Sequence, residues 1–145
     1  MRQRRKSVRL GRTSAHRKEL LASLVCNLIE EKRIKTTLAK AKLMRSLAEK
    51  MVTVGRIGAS EGPGKLAAQR RAISTLRQEK CVTKLLNEIV PQFTGRQGGY
   101  TRILKLGRRA SDGSEMALVE WVGITPPDKK KKAPKADESA KAAKS

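Results

Sequence analysis

One apolar spacing recurs three times in this chain and decides most of what it can become. Leu21, Leu24, Val25 and Leu28 fall at i, i+3, i+4 and i+7. So do Met44, Leu47, Ala48 and Met51, and again Val82, Leu85, Leu86 and Ile89. At 3.6 residues per turn each set lies along one helix face, so the pattern predicts three amphipathic helices that bury those faces together. Thr13 or Ser14 is placed to cap the first helix, and Thr36 or Thr37 the second. Gly55 stands where the second is expected to stop, and Pro91 follows the third. Leu66, Ile73 and Leu76 predict a weaker helix over about 65–76, after a loop over 55–64 (GRIGASEGPG).

Strand signals are fewer. Residues 33–37 (RIKTT) are a short β-rich piece between two helices, and 100–106 (YTRILKL) and 116–122 (MALVEWV) form a pair around a turn at Asp112–Gly113. Ala117, Val119 and Trp121 alternate onto one face, and Leu118, Glu120 and Val122 onto the other. Helices covering one face of a small sheet make an α+β domain over 14–124. A basic N-terminal arm over 1–13 and a tail over 125–145 flank it. The tail holds three prolines, the Lys129–Lys132 run and no large apolar residue. It is expected to be disordered, as a solubilising or loosely attracted extension.

Charge then narrows the function. The 145 residues carry 34 Lys+Arg against 13 Asp+Glu, a net charge of +21. Two like charges about 10 Å apart in water repel by roughly 0.4 kcal/mol, and a compact basic chain holds many such pairs. A surplus of one sign along nearly the whole chain implies a polyanionic partner, with nucleic acid first and an anionic membrane surface second. No apolar run approaches the roughly 18 residues of a membrane span. Lacking an apolar stretch, the arm is not expected to be a secretory signal. A mitochondrial transit peptide is the closer competitor, being Arg-rich and acid-poor, and would need an amphipathic face that Val8 and Leu10 do not supply.

Enzymatic chemistry is poorly provided for. The chain has no phosphate-binding glycine loop, no GxSxG elbow and no HExxH. Its single histidine, His16, is flanked by Arg17 and Lys18 rather than by an orienting carboxylate, and reads as a phosphate or base contact. Cys26 and Cys81 lie on or beside apolar stripes and read as inert core thiols in a reducing compartment. No metal site, cofactor or small-molecule substrate is expected.

Nucleic acid is better served. Eight basic residues against one acidic stand in the first twenty. The arm supplies Arg2, Arg4, Arg5, Lys6, Arg9 and Arg12 for a phosphate backbone, gaining order on contact. Arg70 and Arg71 project from the weaker helix, and Arg96, Arg102, Arg108 and Arg109 lie around the β pair. Gly98 and Gly99 either let a backbone approach closely or make an ordinary turn. Tyr100 either stacks on a base or packs at a strand start. With one Phe, one Tyr and one Trp, the chain lacks the aromatic platforms of single-strand binders and RNA-recognition sheets. Recognition is therefore expected to rest on phosphates and on the shape of folded, double-helical RNA. Charge alone leaves a nucleoid-associated or regulatory DNA-binding protein as the alternative.

Three stretches carry a more specific signal. Gly11–Arg17 (GRTSAHR) leads into the first helix, Thr36–Lys42 (TTLAKAK) opens the second, and Gly98–Ile103 (GGYTRI) opens the β pair. In this order they resemble the bacterial large-subunit ribosomal protein L17 family, from Met1 to about Gly123. Gln3 stands where that family commonly has His. The start of the match at Met1 suggests a bacterial rather than an imported organellar member. The resemblance implies an α-β-α-α-α-β-β fold with a small mixed sheet, and no catalytic site. It implies binding to large-subunit (23S) rRNA near the polypeptide exit in the cytoplasm, support of subunit assembly, and contact with neighbouring ribosomal proteins, including the one numbered thirty-two. Carried over to this chain, it adds His16, Arg17, Lys18, Lys40, Lys42, Tyr100 and Arg102 to the arm cations as RNA contacts.

Overall fold

The computed structural model describes residues 8–59 and 64–125. Arg2, Arg4, Arg5 and Lys6 of the arm, and the tail beyond Thr125, lie outside the described residues. The elements run α1 (Ser14–Glu31), β1 (Arg33–Thr37), α2 (Leu38–Ala59), α3 (Gly64–Leu76), α4 (Glu79–Lys84), β2 (Thr101–Arg108) and β3 (Glu115–Trp121). A π turn (Leu85–Ile89) and a 3-10 turn (Val90–Phe93) prolong α4. This is the α+β order that the periodicities predict.

The apolar stripes become the core. Val25, Leu28, Met44, Ala48, Met51, Val82, Leu85 and Ile89 are all buried. On α1 the buried face is turned slightly from the expected one, with Ala22, Cys26 and Ile29 inside and Leu21 and Leu24 at its edge. Thr13 holds the N-cap position through its backbone, accepting from the Arg17 amide at 2.9 Å, and its side chain makes no cap bond. Thr36 faces inward from β1, so of the two expected caps only Thr37 directly precedes α2.

Two expectations about α2 and the segment after α4 are corrected. Gly55 does not end α2; the helix runs through it to Ala59 and takes in part of the expected loop. A Cβ at position 55 would lie 2.5 Å from Val90 Cγ2, and one at position 58 would lie 2.6 Å from Ala68 Cβ. These glycines serve close helix packing rather than termination, the case in which a helical glycine misleads a reading of breakers. Pro91 sits inside the helical segment, at the start of the 3-10 turn, where its missing N–H costs no ladder bond. The preceding π turn closes through the Val90 amide on the Leu85 carbonyl.

The sheet has the order β1-β3-β2, and β3 runs antiparallel to both neighbours. The mixed sheet implied by the resemblance is thus antiparallel throughout, because β3 folds back from β2 and inserts beside β1. Register places Ile34, Val119 and Ile103 in one row, with Ala117 and Trp121 alternating onto the same inner face against the helices. A bulge between Lys105 and Gly107 shifts the register near the hairpin's far end, where Gly107 adopts a φ of 86°. The turn at Asp112–Gly113 forms as predicted, with the Gly113 amide bonded to the Arg109 carbonyl at 2.9 Å.

Candidate nucleic-acid interface

The aromatic residues settle one question of mode. Phe93, Tyr100 and Trp121 form a single buried cluster, with ring centroids 5.2 Å apart for Phe93–Tyr100 and 6.1 Å for Phe93–Trp121. Trp121 Nε1 donates to the Leu28 carbonyl at 3.0 Å. Tyr100 is 3% exposed, and its hydroxyl accepts from Arg56 Nη1 at 2.9 Å. The base-stacking role open to Tyr100 is therefore corrected: its ring packs in the core, and no aromatic face is left for a base.

The basic candidates fall into three surface regions. At the root of the arm, Arg9, His16 and Lys18 are exposed and Arg17 is half-buried. Leu10 and Gly11 take φ values of 56° and 62°, a tight turn that brings the Arg12 amide to the Arg9 carbonyl at 3.2 Å. Arg12 Nη1 donates to the Leu10 carbonyl at 3.0 Å, while its Nε is buried without a partner among the described residues. Val8, the first described residue, shares a shallow groove with Thr37, Leu38, Lys42 and Ser114, between the start of α2 and the hairpin.

The second region lies along α2 and α3. Lys42, Arg70 and Arg71 are exposed and Lys40 is half-buried. Lys42 and Arg71 line one groove, joined there by Arg45 and Lys50, which the sequence patterns did not single out. Their only sequence signal is that they share the polar side of α2, and any solvated helix face shows the same.

The third region is the hairpin. Arg102 reaches Glu120 at 3.7 Å, and Arg33 on β1 reaches the same carboxylate at 2.9 Å. Arg109 Nε donates to Asp112 Oδ1 at 2.8 Å. That guanidinium, together with the Ser114 hydroxyl and amide, holds the Asp112 carboxyl below the ordinary carboxylate range. Arg108 is exposed. Arg96 is also exposed, with its Nε on the Gly98 carbonyl at 3.1 Å. Gly98 and Gly99 take φ values of 124° and 60°, so the glycine pair has a turn to make; the space a Cβ would fill at Gly98 is open. Arg56, also without a signal in the sequence, is structural: it donates to the Arg96 carbonyl at 2.7 Å and the Thr94 carbonyl at 3.2 Å.

Catalytic and metal chemistry have little to work with among the described residues. No three His, Cys, Asp or Glu side chains are grouped to hold a metal ion. His16 is exposed in the first turn of α1. The buried thiols of Cys26 and Cys81 lie side by side; burial first, then its neighbours Cys81 and Glu30, pushes the Cys26 pKa up to about 12. No described helix is long and apolar enough to cross a membrane.

Comparison with known proteins gives the chain a family. The family model for ribosomal protein L17 matches residues 20–122. The large ribosomal subunit protein bL17 of Methylacidiphilum infernorum is 44% identical over 137 residues, covering 94% of this chain and 100% of the relative. That of Geobacter metallireducens is 45% identical over 133 residues, covering 92% and 71%. That of Desulfitobacterium hafniense is 46% identical over 114 residues, covering 79% and 96%. These relatives are named as ribosomal proteins and not as enzymes. On the strength of this match along most of its length, the chain belongs to the ribosomal protein L17 family.

Proposed function

We propose that this chain is a structural constituent of the bacterial large ribosomal subunit, binding and stabilising large-subunit rRNA near the polypeptide exit. The observation that carries the mode of binding is the burial of Phe93, Tyr100 and Trp121 together, while the cations of α1, α2 and the hairpin stay at the surface. A surface of fixed cations without stacking rings reads phosphate position and helix shape, the form in which double-helical RNA is recognised. The relatives' names place those proteins in the large ribosomal subunit and so support this reading. A cytoplasmic setting and contact with neighbouring ribosomal proteins, among them the one numbered thirty-two, belong to the same proposal.

Sucrose-gradient fractionation of a bacterial lysate with an antibody to the chain tests this reading. The protein is expected in the large-subunit and whole-ribosome fractions, and to leave them when the rRNA is digested. Sedimentation with the nucleoid would replace this reading with the DNA-binding one.

A further inference from the structure

The hairpin and the α2–α3 region differ in how far their charge is already neutralised. On the hairpin side, Arg33 and Arg102 share Glu120, and Arg109 is paired with Asp112. The α2–α3 groove, of about 1160 Å³, is walled by Lys42, Arg45, Lys50 and Arg71, with Glu49 the one carboxylate among its described lining residues. Glu49 turns partly inward and accepts from the Thr101 hydroxyl at 3.0 Å. Its cation among the described residues is Arg45 at 3.9 Å, a loose surface pair that leaves the guanidinium available. Lys42, Lys50 and Arg71 make no ion pair with a described carboxylate.

The groove's shape fits the same partner. Leu47 and Val54 lie along it between the cations, and Ser46 and Thr53 add hydroxyls. It continues into a second hollow of about 500 Å³ that shares Ser46, Leu47, Lys50 and Thr75 and adds Lys18 from α1 and Arg77 after α3. At 1.5 Å of rise per residue, Lys42 to Lys50 spans about 12 Å along α2, enough to follow successive phosphates of one strand. Aliphatic side chains between the cations suit the sugar edge of that strand, and hydroxyls suit its 2′-OH groups.

We infer that the α2–α3 groove is a seat for RNA on the folded domain, with one sugar-phosphate strand of a double-helical segment lying along α2 and its phosphates on Lys42, Arg45, Lys50 and Arg71. This rests on the proposed rRNA-binding function and assigns that function a surface. Arg45 and Lys50 are its distinctive members.

The test compares two variants of equal charge in the full chain. Arg45→Ala/Lys50→Ala removes two groove cations, and Lys80→Ala/Lys84→Ala removes two exposed cations from α4. Each is titrated with large-subunit rRNA over a range of salt, with circular dichroism melting as the check on folding. Giving up two phosphates at roughly 0.7–0.9 each flattens the plot of log K against log salt by about 1.5. The groove pair is expected to show that change with affinity at least tenfold lower, and the α4 pair less than half of it. Arg71→Ala, on the opposite wall, is expected to lower the slope by about one phosphate's worth. Equal losses in the two pairs, or none in the groove pair, would overturn the groove assignment while leaving rRNA binding intact. Failure of the unaltered chain to bind rRNA would overturn the functional reading, and the groove with it.

Discussion

Arg56 Nη1 donates to the Tyr100 hydroxyl at 2.9 Å and so ties the last turns of α2 to the start of β2. The same guanidinium holds the Arg96 and Thr94 carbonyls, so three acceptors from one connecting segment converge on one side chain. A tyrosine that opens a strand beside glycines in a basic protein invites a base-stacking interpretation. Here its hydroxyl is engaged and its ring lies against Phe93.

Tyr100→Phe separates the two roles. It keeps the ring and removes the bond to a charged donor, which is worth roughly 1.5–3 kcal/mol. Urea unfolding is expected to show a loss of that order, with rRNA affinity unchanged. Weaker RNA binding at unaltered stability would restore Tyr100 to the interface.

Gly58→Ala tests the close approach of α2 and α3. Alanine gains about 1 kcal/mol of helix propensity over glycine. Against that, its methyl would lie 2.6 Å from Ala68 Cβ, a contact that only a shift of one helix relieves. Overpacking of this kind typically costs about 1–3 kcal/mol. The variant is expected to be destabilised by about 1 kcal/mol, read as a lower denaturant midpoint. A stabilised variant would show that the two helices separate without penalty.

The same glycines mark where the sequence stopped being legible. Leu28, Ala48 and Leu85 were readable as core because burying an apolar stripe leaves a periodic trace, and Ala117, Val119 and Trp121 because a half-buried strand alternates. Gly55 and Gly58 leave no such trace: a glycine that admits a neighbouring helix and one that ends its own helix look alike. The bulge at Lys105–Gly107 and the fully antiparallel sheet depend on pairings that no local pattern encodes. Among the site residues, Lys42 and Arg71 were visible as cations, but their meeting with Arg45 and Lys50 in one groove follows from how α3 packs on α2. Arg56 and Arg102 are equally basic on paper, yet one is spent on backbone carbonyls and the other faces Glu120.

Cys26 predicts an alkaline weakness. Burial raises its thiol pKa to about 12 in the folded chain, above the ordinary thiol value of 9.0 that it regains on unfolding. Between those values the unfolded state binds fewer protons than the folded one, so stability falls as pH rises. The contribution is intact below about pH 9 and is lost progressively toward 12. Thermal melting at about pH 7 and about pH 10.5 is expected to show a smaller alkaline drop for Cys26→Ala than for the unaltered chain. Equal drops would mean that Cys26 ionises as freely in the folded protein as in the unfolded one.

The arm is expected to matter for RNA and not for stability. Deleting residues 1–12 removes Arg2, Arg4, Arg5, Lys6, Arg9 and Arg12, and none of the described residues among the twelve belongs to the buried core. Each phosphate given up lowers the salt slope by roughly 0.7–0.9. The truncated chain is therefore expected to bind rRNA more weakly with a flatter slope, at a melting temperature within about 2 °C of the full chain. A large fall in melting temperature would assign the arm a place in the fold instead.

Fixed surface cations are held to recognise the phosphates of folded RNA, and the most direct measurement is a titration of the full chain with purified large-subunit rRNA across a salt series. A straight fall of log K with log salt is predicted, with a slope of at least about 4, the mark of about five or more phosphates engaged. An affinity indifferent to salt, or no binding at moderate ionic strength, would contradict it.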